Sequence, residues 1–254
     1  MRAAPVIAST VAVAVAAWVS LQPAVAVDAA PVVASDVRAL LQKFVDTVET
    51  LPGYQVVMQK QQRIGSDLKP AETLLLKQQK TPDCRYMKWI ADPHKGRELI
   101  LCSGRYDGKI QVHESGLLGI ATLSLDPAGS TANSGNLRPI AQAGIYNMAK
   151  MLKANIDKRR ASAEPEAAPV ASERVVEGQT SLCLRSDTMG SDDKAPYPVG
   201  AAELCFDKTL AMPTEVQFWH KDGRLMEHYR FHDWNLKPGL TDADFDTKNR
   251  AYGF

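Results

Sequence analysis

The sequence is poor in the groups that enzymes bring together. Its 254 residues include five histidines and four cysteines. It has no G-x-S-x-G, H-E-x-x-H, phosphate-loop or dinucleotide fingerprint, and its cysteines form no C-x-x-C pair of the redox or zinc-ribbon kind. No pair of carboxylates stands clear of basic partners for acid–base work. We therefore expect no catalytic residues, no cofactor and no bound metal ion.

The chain also lacks an excess of charge of either sign. It has 30 Lys and Arg residues against 29 Asp and Glu residues, whereas a nucleic-acid-binding protein carries a basic face. A nucleic-acid partner is therefore not expected. The five histidines are scattered, and we interpret them as surface residues: His94, His113, His220, His228 and His232.

One long apolar run is present, in residues 1–26 (MRAAPVIASTVAVAVAAWVSLQPAVA). A positive charge at Arg2, an apolar stretch and the small-x-small end AVA are the layout of a secretory signal peptide. The alternative is an uncleaved N-terminal anchor, although the run is short for a membrane span and Pro23 ends it. We expect cleavage after about Ala26 and export to the periplasm.

Residues 27–254 are expected to form a single α+β domain, with a flexible Ala-, Pro- and Glu-rich connector at about 159–172. Helical periodicity predicts a first helix that begins at Ser35 or Asp36 and stops at Pro52, and a second helix over 139–158. Residues 115–138 are predicted to be a long loop. Short runs bounded by turn residues predict an antiparallel meander. These predicted strands are 54–64, 69–80, 84–91, 97–104, 109–114, 173–187, 199–208, 213–220 and 224–234.

The cysteines give a register for the first hairpin, because facing residues of an antiparallel pair have a constant sum of residue numbers. Pairing Cys84 with Cys102 centres the hairpin on the turn sequence ADPHKG. In that register Lys88 faces Glu98 on the cystine face, and the apolar pair lies on the opposite face. That apolar pair is Met87 and Leu99.

A second hairpin gives the same result. Pairing Cys183 with Cys205 centres the turn on SDDKAP and sets Arg185 opposite Glu203 beside the cystine. The opposite face then carries Leu182 with Phe206 and Leu184 with Leu204. Two hairpins in agreement favour the disulfides Cys84–Cys102 and Cys183–Cys205 over the two other connectivities.

Two Asp-Gly pairs extend the sheet. A two-residue turn at Asp107-Gly108 sets Ser103 opposite Val112 and adds Ile110 and Val112 to the Met87 face. A turn at Asp222-Gly223 sets Glu215 opposite Arg230. The predicted fold is therefore α+β, with a large curved antiparallel sheet, unclosed and half-barrel-like, whose concave apolar face is covered by helices. Such an arrangement has either a filled core or an apolar cavity.

The closing stretch LTDADFDTKNRAYGF begins like a calcium loop, with Asp at alternate positions. An EF-hand loop needs Gly at its sixth position and Glu at its twelfth. Counted from Asp242, those positions are Thr247 and Gly253, so the calcium interpretation fails. We expect instead that Asp242 caps a short turn and that Phe245 and Phe254 anchor the segment to the body of the protein.

Four strings resemble an uncharacterised family of exported bacterial proteins, domain of unknown function 1571. They are GRELILCSGRYDGKIQVH, LSLDPAGSTA, NLRPIAQAGI and LKPGLTDADFDTKNRAYGF. That family is similar in fold to the lipoprotein-carrier superfamily that includes LolA, LolB and RseB. The resemblance implies an unclosed barrel with helices in its concavity, and binding of acyl chains or another apolar ligand there.

These observations together predict a non-enzymatic periplasmic binding or carrier protein for a lipid, an acyl chain or a lipidated protein. The alternative is an RseB-like envelope sensor that acts through a protein partner, and an enzyme of unrecognised type is a third hypothesis. The helix at 139–158 is expected to act as a lid. The predicted apolar lining is Met87, Trp89, Leu99, Leu101, Ile110, Val112, Met148 and Met151.

Overall fold

A computed structural model describes residues 34–116, 121–161, 169–187 and 196–254. The predicted signal peptide and half of the predicted connector, residues 162–168, lie outside these residues. The described residues form three α-helices, namely α1 (Ala34–Thr50), α2 (Ser130–Asn133) and α3 (Ile145–Ala161). The first seven strands are β1 (Gly53–Ile64), β2 (Asp67–Leu68), β3 (Glu72–Gln79), β4 (Cys84–Trp89), β5 (Glu98–Cys102), β6 (Ile110–His113) and β7 (Thr122–Leu125). The remaining strands are β8 (Val170–Val176), β9 (Gln179–Ser186), β10 (Val199–Asp207), β11 (Pro213–His220) and β12 (Leu225–Asn235).

All twelve strands belong to one antiparallel sheet that does not close. Its order is β7-β6-β5-β4-β3-β1-β12-β11-β10-β9-β8, with β2 paired to β1 off this path. The first long strand therefore pairs with the last, through Met58 opposite Phe231. This confirms the predicted large, unclosed antiparallel sheet with helices against one face.

The face of the sheet that α1 and α3 cover is called here the inner face. Period two places Val56, Leu76, Met87 and Leu99 on it, and these residues lie opposite one another in adjacent strands. Helix α1 adds Phe44, which is fully buried and packs 5.2 Å from the Phe206 ring, centroid to centroid. The inner face and the two helices form one continuous apolar core.

The two cystine hairpins have the predicted register and the predicted disulfides. Cys84 faces and bonds Cys102. Lys88 faces Glu98, and the ammonium and carboxylate groups of these two residues lie 2.8 Å apart. Cys183 likewise faces and bonds Cys205. Each cystine thus ties two neighbouring strands together within one half of the sheet.

One predicted ion pair is wrong. Arg185 faces Glu203 as predicted, but its guanidinium binds Asp187 at 2.8 Å and lies over the Trp219 ring. Glu203 is paired with Arg174 instead, at 2.8 Å. The reason is that the predicted strand 173–187 is two strands, β8 and β9, and β8 brings its own arginine across the edge of the hairpin.

The predicted turn at Asp107-Gly108 is also wrong. Val112 faces Leu99 rather than Ser103, because the connection is a longer loop containing a 3-10 turn over Tyr106–Gly108. The shift is four residues, an even number, so Ile110 and Val112 stay on the inner face as predicted. At the other Asp-Gly pair the predicted pairing of Glu215 with Arg230 is confirmed.

Two element boundaries differ from prediction. The second helix begins at Ile145, and a separate 3-10 turn over Ile140–Gln142 precedes it. The predicted loop 115–138 contains β7 and the one-turn helix α2. The sequence there is rich in Gly, Ser and Asn, and it did not show the short edge strand.

The outer face of β4–β6 is covered, whereas a polar face of a sheet would be open to water. The tail segment, defined here as residues 240–254, lies over it and forms a second core with Cys84, Tyr86, Ile100 and Cys102. The Tyr252 ring stacks on Tyr86 at 4.0 Å. The Gly253 N–H donates to the buried Glu98 carboxylate at 2.9 Å.

The anchors of the tail segment are those predicted, but its cap is not. Phe245 is 1 % exposed and Phe254 packs against the same cluster. The 3-10 turn Asp242–Phe245 is capped by Thr241, whose backbone N–H donates to the Asp244 carboxylate at 2.9 Å. Asp242 itself pairs with Arg105 at 2.8 Å.

We expect Phe245→Ala to lower the free energy of unfolding by about 3 kcal/mol, because it empties the centre of the second core. Phe254→Ala, at the half-buried border of the same core, should cost about 1 kcal/mol and serves as the matched control. Urea titration followed by tryptophan fluorescence measures both. Equal losses in the two variants would contradict a tail segment anchored on Phe245.

Candidate functional site

The inner face is the candidate binding surface, and most of its predicted lining meets there. One cluster with side chains of α1 and α3 buries Met87, Trp89, Leu99, Ile110 and Val112. Leu101 and Met148 pack against its border. Met151 is separate, since its side chain is 56 % exposed and lies outside the inward stripe of α3. In this structure side chains fill the space between sheet and helices, as in the filled-core alternative.

Helix α3 is attached to the core mainly by its beginning. Its buried side chains within 145–157 are Ile145, Tyr146 and Ala149, all in the first five residues. Leu152 and Ile156, further along, are half-buried. One exposed ion pair, Lys153 with Glu49 at 2.6 Å, links this outer part to α1. Most of α3 is therefore held by few buried apolar contacts.

A strap, defined here as residues 126–144, leads from β7 to α3 across the inner face. None of its side chains is fully buried, although Ala132, Ile140 and Ala143 pack against the core. Polar groups of the sheet hold it at two places, at residues 136–138 in its second half and at residues 143–145, where α3 begins. The strap is thus a cover fixed by polar contacts rather than by apolar anchors.

The end of the strap next to α3 is held by Tyr54, Gln78 and Arg85, all buried on the inner face. Arg85 Nε donates to the Ala143 carbonyl at 3.0 Å, and the Ile145 N–H donates to Tyr54 Oη at 3.1 Å.

 Burial disfavours the phenolate form of Tyr54 and holds its pKa well above the ordinary value. The phenol therefore remains a hydrogen-bond donor, and it donates to Gln78 Oε1 at 2.6 Å.

Gly144 allows this close approach. Its φ is +107°, and a Cβ there would lie 1.9 Å from Gln78 Oε1 and 2.7 Å from Tyr54 Oη. A side chain at this position would therefore separate the strap from the sheet.

Residues 136–138 of the strap are held around Glu227, a carboxylate on β12 that is fully buried on the inner face. Arg138 of the strap binds it with Nε at 3.0 Å from both carboxylate oxygens. Tyr197 and Tyr229 donate their hydroxyls to it at 2.7 and 2.6 Å. Burial raises the pKa of both phenols, and the Glu227 charge adds to this effect.

Two further contacts fix the strap at residues 136 and 137. Lys60 donates to the Asn136 side chain at 2.7 Å and pairs with Glu72 at 3.3 Å. Gln62 accepts from the Leu137 N–H at 3.3 Å. Burial lowers the pKa of Lys60, and the nearby Glu72 carboxylate partly opposes this.

The residues around Glu227 were not among the predicted site residues. One signal was available, because Glu227 occupies the same face of β12 as Phe231, four residues away on an apolar-facing position. A carboxylate at such a position needs a buried partner. The sequence did not identify Arg138 as that partner, since 89 residues separate the two.

A second polar cluster lies on the outer face, beside the Cys183–Cys205 disulfide. Glu203, Cys205 and Glu215 each have an atom that could bind a metal ion, and these three atoms lie within 4.8 Å of one another. The Cys205 sulfur is bonded to Cys183, and the Arg174 guanidinium contacts both carboxylates. The negative charges there are therefore compensated by side chains of the protein itself.

Glu215 is the centre of this second cluster. It is 6 % exposed and accepts from His228 at 2.6 Å and from Arg230 at 3.2 Å. Burial acts to raise its pKa, but the hydrogen bonds from these two residues and the charge of Arg174 outweigh it and lower the pKa to about 2. His228, predicted to be a surface residue, is thus a half-buried partner of this carboxylate.

The depressed pKa makes the stability of the protein depend on pH. The contribution of Glu215 is fully present above the ordinary pKa of 4.5 and is lost as the pH falls through about 2. We expect Glu215→Gln to cost about 2 kcal/mol at pH 7, after allowance for the solvent exposure of Arg174 and Arg230. The difference from wild type should shrink as the pH falls from 4.5 towards 2.

Urea titrations of wild type and variant across this pH range make the measurement. Glu173→Gln is the matched control, because Glu173 also pairs with a cation, Lys208, but faces Leu182 on the other side of the sheet and is exposed. A cost of Glu215→Gln that does not change with pH would contradict the ionised, paired carboxylate.

Within the part of the chain that the structure describes, no helix is both long enough and apolar enough to cross a membrane.

Comparison with curated proteins gave no match. Many solved structures are similar to this chain, and three of them are described here. The lipoprotein LppX of Mycobacterium tuberculosis is 12% identical, with a TM-score of 0.46 and coverage of 82% of this chain and 99% of that one. MucB in the Pseudomonas aeruginosa MucA/MucB complex is 14% identical, with a TM-score of 0.40 and coverage of 79% and 56%.

The third is a LolA superfamily protein of Nitrosomonas europaea, 14% identical, with a TM-score of 0.34 and coverage of 82% of this chain and 96% of that one. The family model described as protein of unknown function (DUF1571) matches residues 51–254. This match spans most of the sequence, and the chain belongs to that family.

Proposed function

We propose that this protein is an exported, non-enzymatic carrier that binds an acyl chain, a lipid or a lipidated protein against the inner face of its sheet. The observation that carries the proposal is the unequal cover of that face. The sheet side is a continuous buried apolar surface. The α3 and strap side contributes few buried apolar side chains.

The energies of opening and binding support a carrier of this kind. Lifting α3 exposes Ile145 and Tyr146, at about 1.5–3 kcal/mol for each large side chain. An acyl chain that buries about ten methylenes gains roughly 8 kcal/mol, at about 0.8 kcal/mol for each. The gain exceeds the cost, so a filled core in the ligand-free protein is compatible with uptake of a chain.

In this proposal α3, the main part of the predicted lid at 139–158, moves away from the sheet and the ligand takes its place. The acyl chain then contacts apolar residues of the inner face, among them Met87, Trp89 and Leu99. Met148 and Leu152 move with the lid and contact the ligand from above. Export to the periplasm, with cleavage after about Ala26, belongs to the same proposal.

The experiment holds α3 closed and measures ligand uptake. Glu49→Cys with Lys153→Cys places two thiols where the ion pair between α1 and α3 now lies, and a short bismaleimide joins them. The four native cysteines do not react, since all are in disulfides. We expect tethering to weaken binding of a fluorescent fatty acid at least tenfold.

Lys153→Cys alone, treated with the same reagent, is the control and should bind like wild type. Equal binding by tethered and untethered protein would place the ligand elsewhere than under α3. Native mass spectrometry of protein purified from its own periplasm is the second arm. A protein without copurifying lipid that also ignores fluorescent fatty acids would overturn the carrier proposal.

The second candidate function is an envelope sensor that acts through a protein partner. It is favoured by the edge strand β8, where Val170 and Val175 are 67% and 70% exposed, because an exposed strand edge accepts an extended segment of another protein. A photo-crosslinker at position 175, used in intact cells, distinguishes the two. A stoichiometric protein adduct without copurifying lipid would favour the sensor.

A further inference from the structure

The Glu227 carboxylate is buried completely, on β12 in the middle of the sheet. An ionised carboxylate in such a place is costly unless a cation and hydrogen-bond donors accompany it. Among the described residues, Arg138 is the cationic side chain in contact with it, with its terminal nitrogen 2.8 Å from one oxygen. The burial of Glu227 therefore depends on a cation that the strap supplies.

The walls around this cation are of the kind that recognise positive charge. The Arg138 guanidinium lies over the Phe218 ring, 5.1 Å from its centroid. Tyr197 and Tyr229 orient the carboxylate through their hydroxyls. A carboxylate, an aromatic face and oriented phenols make a binding site for an ammonium or guanidinium group.

Lys60 does not compete for this place. Its ammonium group is taken up by Glu72 and Asn136. Removal of Arg138 would thus leave Glu227 buried without a contacting cation, while the rest of the pocket stays in position on the rigid strands β11 and β12 and in the segment of Tyr197.

The cation comes from a part of the cover that has no apolar anchor of its own. The Arg138 side chain is 25% exposed, and the strap that carries it has no fully buried side chain. When the strap lifts, Arg138 leaves with it. The pocket then offers its carboxylate to whatever cation enters beneath the strap.

The pocket also opens onto the apolar surface. Glu227, Tyr229 and Phe231 lie on one face of β12 at alternate positions, and Phe231 belongs to the apolar core. At about 3.3 Å per residue, Glu227 is roughly 13 Å from Phe231 along the strand. A ligand with its charged group at Glu227 would lay about ten carbons of an acyl chain over this stretch.

We propose that the Glu227 pocket is a head-group site for an acyl lipid with an ammonium or guanidinium group, and that Arg138 occupies it in the ligand-free protein. This inference rests on the proposed function, because the chain of the lipid lies on the inner face. Arg138 is then an internal stand-in for the ligand's own charge, and ligand uptake exchanges one cation for another.

The first arm tests the pocket without any acyl chain. Arg138→Ala is examined by thermal unfolding with millimolar ethylguanidinium and, separately, with N-ethylurea, which is similar in shape but neutral. We expect ethylguanidinium to raise the Tm of Arg138→Ala by several degrees and ethylurea to leave it unchanged. Should this variant not fold alone, its refolding yield with each additive gives the same readout.

Arg97→Ala is the matched control for this arm. Arg97 is 27% exposed, binds Glu114 at 2.8 Å and lies over the Trp89 ring, so it has the same kinds of contact away from Glu227. Its variant should not respond to ethylguanidinium. Equal responses of the two variants, or no response of either, would overturn the head-group site.

The second arm adds the chain, with dodecylamine and dodecanol below their micellar concentrations. We expect Arg138→Ala to bind dodecylamine at least tenfold more tightly than dodecanol. Equal affinities would overturn the head-group site and leave the carrier proposal standing. Rescue by ethylguanidinium without binding of either amphiphile would instead overturn the carrier proposal and leave a site for small cations.

Discussion

The pairing of β1 with β12 is the constraint on which the rest of the structure depends. It joins the first long strand to the last, through a register that runs from Gln55 opposite Asn235 to Gln62 opposite Glu227. The strands β3–β7 follow on one side of this seam, and β8–β11 lie on the other. Both edges of the sheet are therefore formed in the middle of the sequence, by β7 and β8.

This topology explains the cover of the inner face. The chain leaves β7 at one edge and must reach β8 at the other, and ten strand spacings of about 4.8 Å make the sheet roughly 45–50 Å wide along its hydrogen bonds. The strap and the helix α3, about 26 Å long, lie on this path. A connection that must cross the sheet covers it without needing large apolar anchors of its own.

The sequence predicted those parts of the fold in which a short-range constraint fixes the strand register. Each cystine fixed a register that period two then extended, which placed Met87 and Leu99 correctly on the inner face. The Asp107-Gly108 turn failed because turn chemistry does not exclude a longer loop, and an even error in register preserved the faces. The cover of the outer face by the tail segment was not visible, since it joins Phe245 to Tyr86 over a long separation.

The candidate site likewise has one part that the sequence predicts and one part that it does not. Its apolar lining follows from strand periodicity, whereas the contact between Arg138 and Glu227 depends on how a long connection crosses the finished sheet. The exposure of Met151 shows the limit of helical periodicity, because the start of α3 at Ile145 decides which stripe faces inward.

The strap is covalently continuous with β7 at one end and with α3 at the other. This tether has a consequence for selectivity. A group tethered in this way competes for its pocket at an effective concentration in the millimolar range or above. A small free cation at lower concentration does not displace Arg138 from Glu227. In the proposed exchange at Glu227, a molecule that gains additional free energy from an apolar chain does displace it, so the tether would act as a threshold that admits amphiphiles and rejects ordinary metabolites of the same charge.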